Sequence, residues 1–317
     1  MKTVLALTLS AFVIVDATTA FAQGGETAGM ITEIKPGHGR VEVQSAGAPA
    51  WKPARPLLAL RPGDVVRASE DAMVVILFTG GRGTVRVDRT GSPFTVPAAQ
   101  AGDGKAQKAR DLLQASVSYL AGGTRETSQA VLATRGAARP PVILAPRNSP
   151  VLPGPLVFEW LGTRFSHYTV QVLGPDKAPV LGPRDVVGSR WDLGGDAATL
   201  RPGVRYVVRV QTAGQTPQEA WFELVDPARA TAITADLAAL EQGLDAGTPA
   251  TSLAVVRAGF LSHEGLTHDA RLALTAALAR APDEPTLHLL LGDLEARTGL
   301  SSLAAQSYQE AEFLLKK

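Results

Sequence analysis

The sequence predicts a multidomain chain, β first and α last, and three observations predict it. A Pro-Gly turn at Leu60–Asp64 leads into the continuously apolar, β-branched run Met73–Phe78. Residues 141–226 carry short alternating segments separated by turn residues. Residues 227–317 change to an Ala- and Leu-rich helical periodicity that repeats itself at a spacing of 34 residues.

In the first unit, residues 30–96, Pro62 presets φ, Gly63 can take φ > 0 and Asp64 can bond nearby amides, so a strand restarts at Val65. The run Met73–Phe78 suits a strand buried on both faces. Gly80-Gly81-Arg82-Gly83 then makes a tight turn into Thr84-Val85-Arg86-Val87, whose alternation suits a half-buried return strand. With the earlier strand Gly39-Arg40-Val41-Glu42-Val43 and the spacer from Ala72, the pattern resembles the FecR-like domain. That resemblance implies a small all-β module of bacterial envelope proteins; an unnamed β-module with the same turn is the plainer alternative. Trp51, between the early strands and the turn, is either a lid on a small β core or an exposed ligand platform.

Residues 97–140 read as a linker holding one helix. Ala, Gly and Pro dominate 97–104, and Leu112, Leu113, Val117 and Leu120 then recur at helical spacing until Gly122-Gly123. Ala133-Thr134-Arg135-Gly136 before Pro140-Pro141 marks the next boundary. In residues 141–226 the expected strands are Val142–Leu144, Leu156–Leu161, Tyr168–Val172, Arg205–Gln211 and Ala220–Val225. The set resembles a fibronectin type III or immunoglobulin-like sandwich, with Trp160 and Tyr206 as core aromatics. Trp191 and Trp221 are either packing residues or sugar contacts.

In residues 227–317 the 34-residue spacing pairs Gly265 with Gly299, Ala270 with Ala304, Leu274 with Tyr308 and Ala277 with Ala311. A small Ala lets helices approach, a Gly ends the first helix and a bulky residue fills the gap between hairpins. This resembles the tetratricopeptide repeat, although Arg257-Ala258 departs from the Leu291-Gly292 pair of the second repeat. By that resemblance Arg257, His288 and Glu295 are the candidate groove residues. Ala228–Gln242 is a further helix, a half-repeat or a cap. Fewer than three repeats seldom stand alone, so this end is expected to pack on the sandwich or on another protein.

Composition limits the function. The formal net charge is +1, which gives no basic footprint for nucleic acid. Without cysteine there is no disulfide, thiolate metal site or acylated cysteine. Residues 1–22 read as a signal peptide: Lys2, an apolar core Val4–Val15 too short to span a bilayer, and the Ala20-Phe21-Ala22 cleavage motif. The expectation is an exported chain, periplasmic or secreted, cleaved after Ala22 and without a transmembrane segment once mature.

No enzyme signature emerges. There is no G-x-S-x-G, and Gly80–Thr84 lacks the Lys of a phosphate loop. His263-Glu264 and His268-Asp269 place the histidines five apart around Gly265, where a zinc helix needs four, and exposed loop histidines are the plainer reading. The five histidines are scattered over three units, and no cofactor is expected. The leading expectation is therefore a non-catalytic envelope adaptor that holds protein partners on its helical repeats. A glycan-binding protein using Trp51 or Trp191 on cell-wall sugar is the alternative. A FecR-like signalling regulator is the third, but such regulators carry a cytoplasmic segment and a membrane helix where this chain carries a signal peptide.

Overall fold

The computed structural model describes residues 27–80, 83–98, 107–122 and 141–317. The expected signal peptide and the Ala133–Pro140 boundary segment lie outside the described residues. Among them the order is β-sheets first and helices last, with one helix between.

The first unit has two antiparallel sheets. One orders β4 (Ala59–Leu60), β1 (Gly29–Lys35), β6 (Met73–Phe78) and β7 (Thr84–Val87). The other orders β3 (Trp51–Pro53), β2 (Val41–Gln44), β5 (Val65–Ala68) and β8 (Phe94–Thr95). The Pro-Gly turn behaves as its chemistry dictates. Gly63 sits at φ +83°, and the Asp64 carboxylate accepts the Arg61 amide at 2.8 Å and the Ala46 amide at 2.9 Å. Val65 does restart a strand, and the Phe78 amide bonds the Gly83 carbonyl at 2.9 Å where the return strand begins.

Both faces of β1 and β6 are buried, and each face belongs to a different core. Ile31, Ile34, Val74, Ile76 and Phe78 meet the sister sheet, whereas Met30 and Leu77 share a core with the helices. Leu57 joins that second core from φ +60°, a rare backbone setting for Leu, held by its amide on the Ile31 carbonyl at 2.9 Å.

The second unit also has two sheets. The larger orders β10 (Ser149–Val151), β16 (Gln218–Leu224), β15 (Arg205–Gln211), β12 (His167–Leu173) and β13 (Pro179–Val187). The smaller orders β14 (Arg190–Asp192), β11 (Val157–Leu161) and β9 (Val142–Ala145). Phe158, Trp160, Trp191, Tyr206 and Phe222 fill the space between them. The Tyr206 hydroxyl accepts the Arg201 amide at 2.8 Å, which gives the buried phenol its polar partner. Three strands escape the sequence pattern: β10, β13 and β14. β13 carries Pro179 and Gly182-Pro183, which read as turn residues, and it occupies a sheet edge, where proline costs no ladder bond.

The helices are α1 (Gln107–Gly122), α2 (Pro227–Gln242), α3 (Ala250–His263), α4 (Thr267–Leu278), α5 (Pro285–Arg297) and α6 (Ser301–Lys316). Two hairpins, α3–α4 and α5–α6, follow the 34-residue spacing. Gly265 and Gly299 both sit at φ +79° in the hairpin turns, while Ala270 and Ala304 are fully buried. α1 packs on α2 and α3, so the helix of the linker is part of the helical layer. α2 starts at Pro227 under an Asp226 cap, whose carboxylate accepts the Ala228 and Arg229 amides.

The helical layer packs on both β units. Met30, Leu57 and Leu77 of the first unit, with Val225 at the end of the second, are buried among Val117, Leu120, Val255, Leu261 and Leu287.

Candidate functional site

The helices enclose a cleft of about 750 Å³ with an apolar floor and a polar rim. Ala258 of α3, Leu274 of α4 and Leu290 and Leu294 of α5 make the floor. Ser118 and Tyr119 of α1, Ser262 of α3, Asp293 and Arg297 of α5, and Ser301 and Tyr308 of α6 surround it. Leu290, Asp293, Leu294 and Arg297 lie at i, i+3, i+4 and i+7, the spacing that puts residues on one helix face. Gly292 lets the hairpin close, because a Cβ there would stand 2.6 Å from the Tyr308 ring. Tyr308 then reaches across to donate its hydroxyl proton to Asp293 Oδ1 at 2.9 Å. The Arg297 guanidinium lies over the Tyr119 ring, 5.5 Å from its centroid, and the same ring meets His263 edge-on at 5.9 Å. Burial lowers the Arg297 pKa from its usual value, though the side chain stays charged at any ordinary pH.

None of the three groove residues expected from the repeat pattern lines this cleft. Arg257 points to α2 and gives its Nε–H to Glu241 at 2.7 Å. His288 contacts the Pro282 carbonyl through Nε2 at 2.7 Å, at the start of its own helix. Glu295 is buried in the α5–α6 seam and accepts the Ser307 hydroxyl at 2.8 Å, so it is not available to a ligand. Burial raises the Glu295 pKa, and the Ser307 bond opposes the rise. Ala258, beside Arg257, and Leu294 and Ala296, on either side of Glu295, form the wall instead, together with α1, which sequence reasoning assigned to a linker. The mixed row Leu290, Asp293, Leu294, Arg297 was the signal that could have found it.

The tryptophans divide. Trp191 is buried in the sandwich core 5.7 Å from the Phe158 ring, which corrects its role as a sugar platform. Trp51 is half-buried outside the core of its unit, so it does not lid that core, and the Arg67 guanidinium lies 4.0 Å from its ring centroid over one face.

The histidine pair also resolves. His263 ends α3 and His268 opens α4, so the two do not share a helix face. His268 is buried, in contrast to the exposed loop position expected for it, and desolvation brings its pKa down to about 4. Among the described residues no group of three His, Cys, Asp or Glu side chains is placed to hold a metal ion. No helix among them is long and apolar enough to cross a membrane.

Polar contacts at two seams fix the helices to the β units. At the first seam the Ser252 hydroxyl of α3 lies 2.8 Å from the Thr32 hydroxyl and donates to Glu33 Oε1 at 2.8 Å, while Glu284 Oε1 accepts the Ile34 amide at 3.3 Å. The second seam runs between α4 and β10. Asp269 accepts the Leu152 amide at 3.2 Å and the His268 amide bonds the Ser149 hydroxyl at 3.1 Å, while beside it Arg147, just before β10, gives its Nε–H to the Thr298 carbonyl at the end of α5 at 2.8 Å.

No protein-family model matches the chain, and no curated protein matches it.

Proposed function

We propose that this chain is a non-catalytic, exported scaffold of the bacterial envelope, which holds a protein partner in the cleft of its helical layer. The reading takes the first unit as FecR-like, the second as an immunoglobulin- or fibronectin-like sandwich and the helical hairpins as tetratricopeptide-like. The cleft is the observation that carries it. It joins an apolar floor, for burying a partner's side chains, to a rim with serine hydroxyls, one carboxylate and one guanidinium stacked on tyrosine. Aromatic and arginine side chains are enriched among the residues that supply binding energy in protein contacts, and here Tyr119, Tyr308 and Arg297 border the apolar floor. The glycan reading is weaker, because Trp191 is in a core and one face of Trp51 is taken by Arg67.

The test is a pull-down of the tagged full chain from cells that express it, beside the variants Ser118→Trp and Ala296→Trp. Both residues are exposed on the rim, so the bulk narrows the cleft without disturbing the core. A protein held by the parent and lost from both variants supports the reading. A partner retained by both variants, or sedimentation with isolated cell-wall sacculi and no protein partner, contradicts it.

A further inference from the structure

The seam between β1 and the helical layer has a chemical property that its shape alone does not require. β1 carries a bulge between Ile31 and Glu33, which disturbs its pairing to β6 at the point where Thr32 and Glu33 are both buried. Facing them are Ser252 of α3 and Glu284, the N-cap of α5. Glu284 is 1 % exposed and Glu33 7 %. Two carboxylates are therefore enclosed at one interface.

Their partners are unequal. Glu33 Oε1 takes the Ser252 hydroxyl at 2.8 Å and the Ser252 amide at 3.2 Å. Glu284 Oε1 takes the Thr286 hydroxyl at 3.0 Å, the Ile34 amide at 3.3 Å and the Thr286 amide at 3.4 Å, the last two long for hydrogen bonds. Glu284 Oε2 is buried with no hydrogen-bond partner among the described residues. The charged group that bears on Glu284 from β1 is Glu33, a like charge; α3 offers the neutral Ser252 and α5 itself the neutral Thr286. A carboxylate in this setting is held in its neutral form by desolvation first and by Glu33 second, while the bonds from Thr286 and Ile34 oppose both. The balance puts its pKa at about 7.

We propose that Glu284 is a pH-dependent fastener between the helical layer and the first β unit, closed while its carboxyl is neutral and loosened when the carboxyl ionises in the seam. The direction follows from linkage. Freed from the seam, the carboxyl returns to its ordinary pKa of 4.5, so the raised value in the closed state favours closure below that pH. Between pH 4.5 and 7 ionisation is easier in the open state, and the opening equilibrium rises about tenfold per pH unit, roughly a hundred-fold or more over the window. Above pH 7 both states are ionised and the dependence ends. The fastener lies on α5, the helix that also carries Leu290, Asp293, Leu294 and Arg297 of the cleft, so loosening at its N-terminus bears on the wall of the candidate binding site.

The experiment is hydrogen exchange of the full chain from pH 5 to pH 8, corrected for the intrinsic pH dependence of amide exchange, followed at Ile34 and in the peptide covering residues 284–290. The wild-type chain should lose protection at both places by about tenfold per unit up to pH 7, while β12 in the second unit keeps its own protection. Glu284→Gln, which is neutral at every pH and keeps the acceptor oxygen, should flatten the profile. Glu33→Gln removes the like charge and should move the loss of protection to lower pH with a smaller span. A profile for Glu284→Gln equal to that of wild type overturns the proposal, as does protection at Ile34 that rises with pH. Neither outcome touches the partner-binding reading, which the pull-down tests separately.

Discussion

Leu77 and Ile76 are neighbours on β6, yet their side chains end in different cores: Ile76 between the two sheets of the first unit and Leu77 among the helices. Both are fully buried, so Leu77→Ala and Ile76→Ala should each cost about 3 kcal/mol in chemical denaturation. Only Leu77→Ala should raise hydrogen exchange in α3 and α5. Gly265 and Gly299 are set at φ +79°, where any Cβ is strained, and Gly265→Ala and Gly299→Ala should each lower stability by about 1 kcal/mol. The glycine pair was legible because a left-handed hairpin turn leaves a residue-type signature. The second face of Met73–Phe78 was legible as buried but not as helix-facing, since periodicity records that a side chain is hidden and not what hides it. Glu295 is the converse case. Its carboxylate looks like a surface group in the sequence, and the Ser307 hydroxyl across the hairpin, with the Arg271 charge nearby, makes its burial tolerable.

At the scale of the element, α4 opens with two titratable neighbours that pull in opposite directions. His268, lowered to about 4 by burial and by the positive Arg271, stabilises the seam to β10 in its neutral form; that contribution is full above pH 6.5 and is lost as pH falls through 4. Asp269, raised to about 6 by burial against the bond from the Leu152 amide, contributes its stability below pH 3.8 and loses it as pH rises through 6. Across pH 4 to 6 the two slopes nearly cancel. Asp269→Asn should expose the histidine alone, so thermal stability measured against pH rises more steeply from pH 4 to 6.5 than in the parent, by about 1.4 kcal/mol per unit at most. A slope unchanged by the substitution contradicts this account of the seam. The helices themselves were legible from the apolar spacing of Leu112, Leu113, Val117 and Leu120 and from the 34-residue self-similarity of residues 227–317, while the Asp226 cap with Pro227 and the Pro285 start of α5 are supplied by the structure. The place of α1 was not legible, because the sequence separates it from α2 by the whole second unit.

For the whole molecule, the helical layer closes the β units and is not an appended arm. A chain ending after Asp226 would uncover Met30, Leu57 and Leu77 and the seam carboxylate Glu33. It should bind hydrophobic dyes and self-associate on size-exclusion chromatography, where the full chain should do neither. The β-then-α order was legible because alternation changes to helical spacing near residue 227, and the docking was anticipated only from the small number of repeats. The cleft was not legible as a whole, since α1 comes to α3, α4, α5 and α6 there from a stretch more than a hundred residues earlier in the chain. The most direct measurement is photocrosslinking in the expressing cell from a photoreactive residue placed at Ser118, on the exposed cleft rim, beside one placed at Ala276, exposed on α4 outside the cleft. A discrete protein adduct from position 118 that is absent from position 276 and lost when Ala296→Trp narrows the cleft is the predicted result. Equal adducts from both positions, or an adduct at 118 indifferent to Ala296→Trp, would contradict a partner held in the cleft.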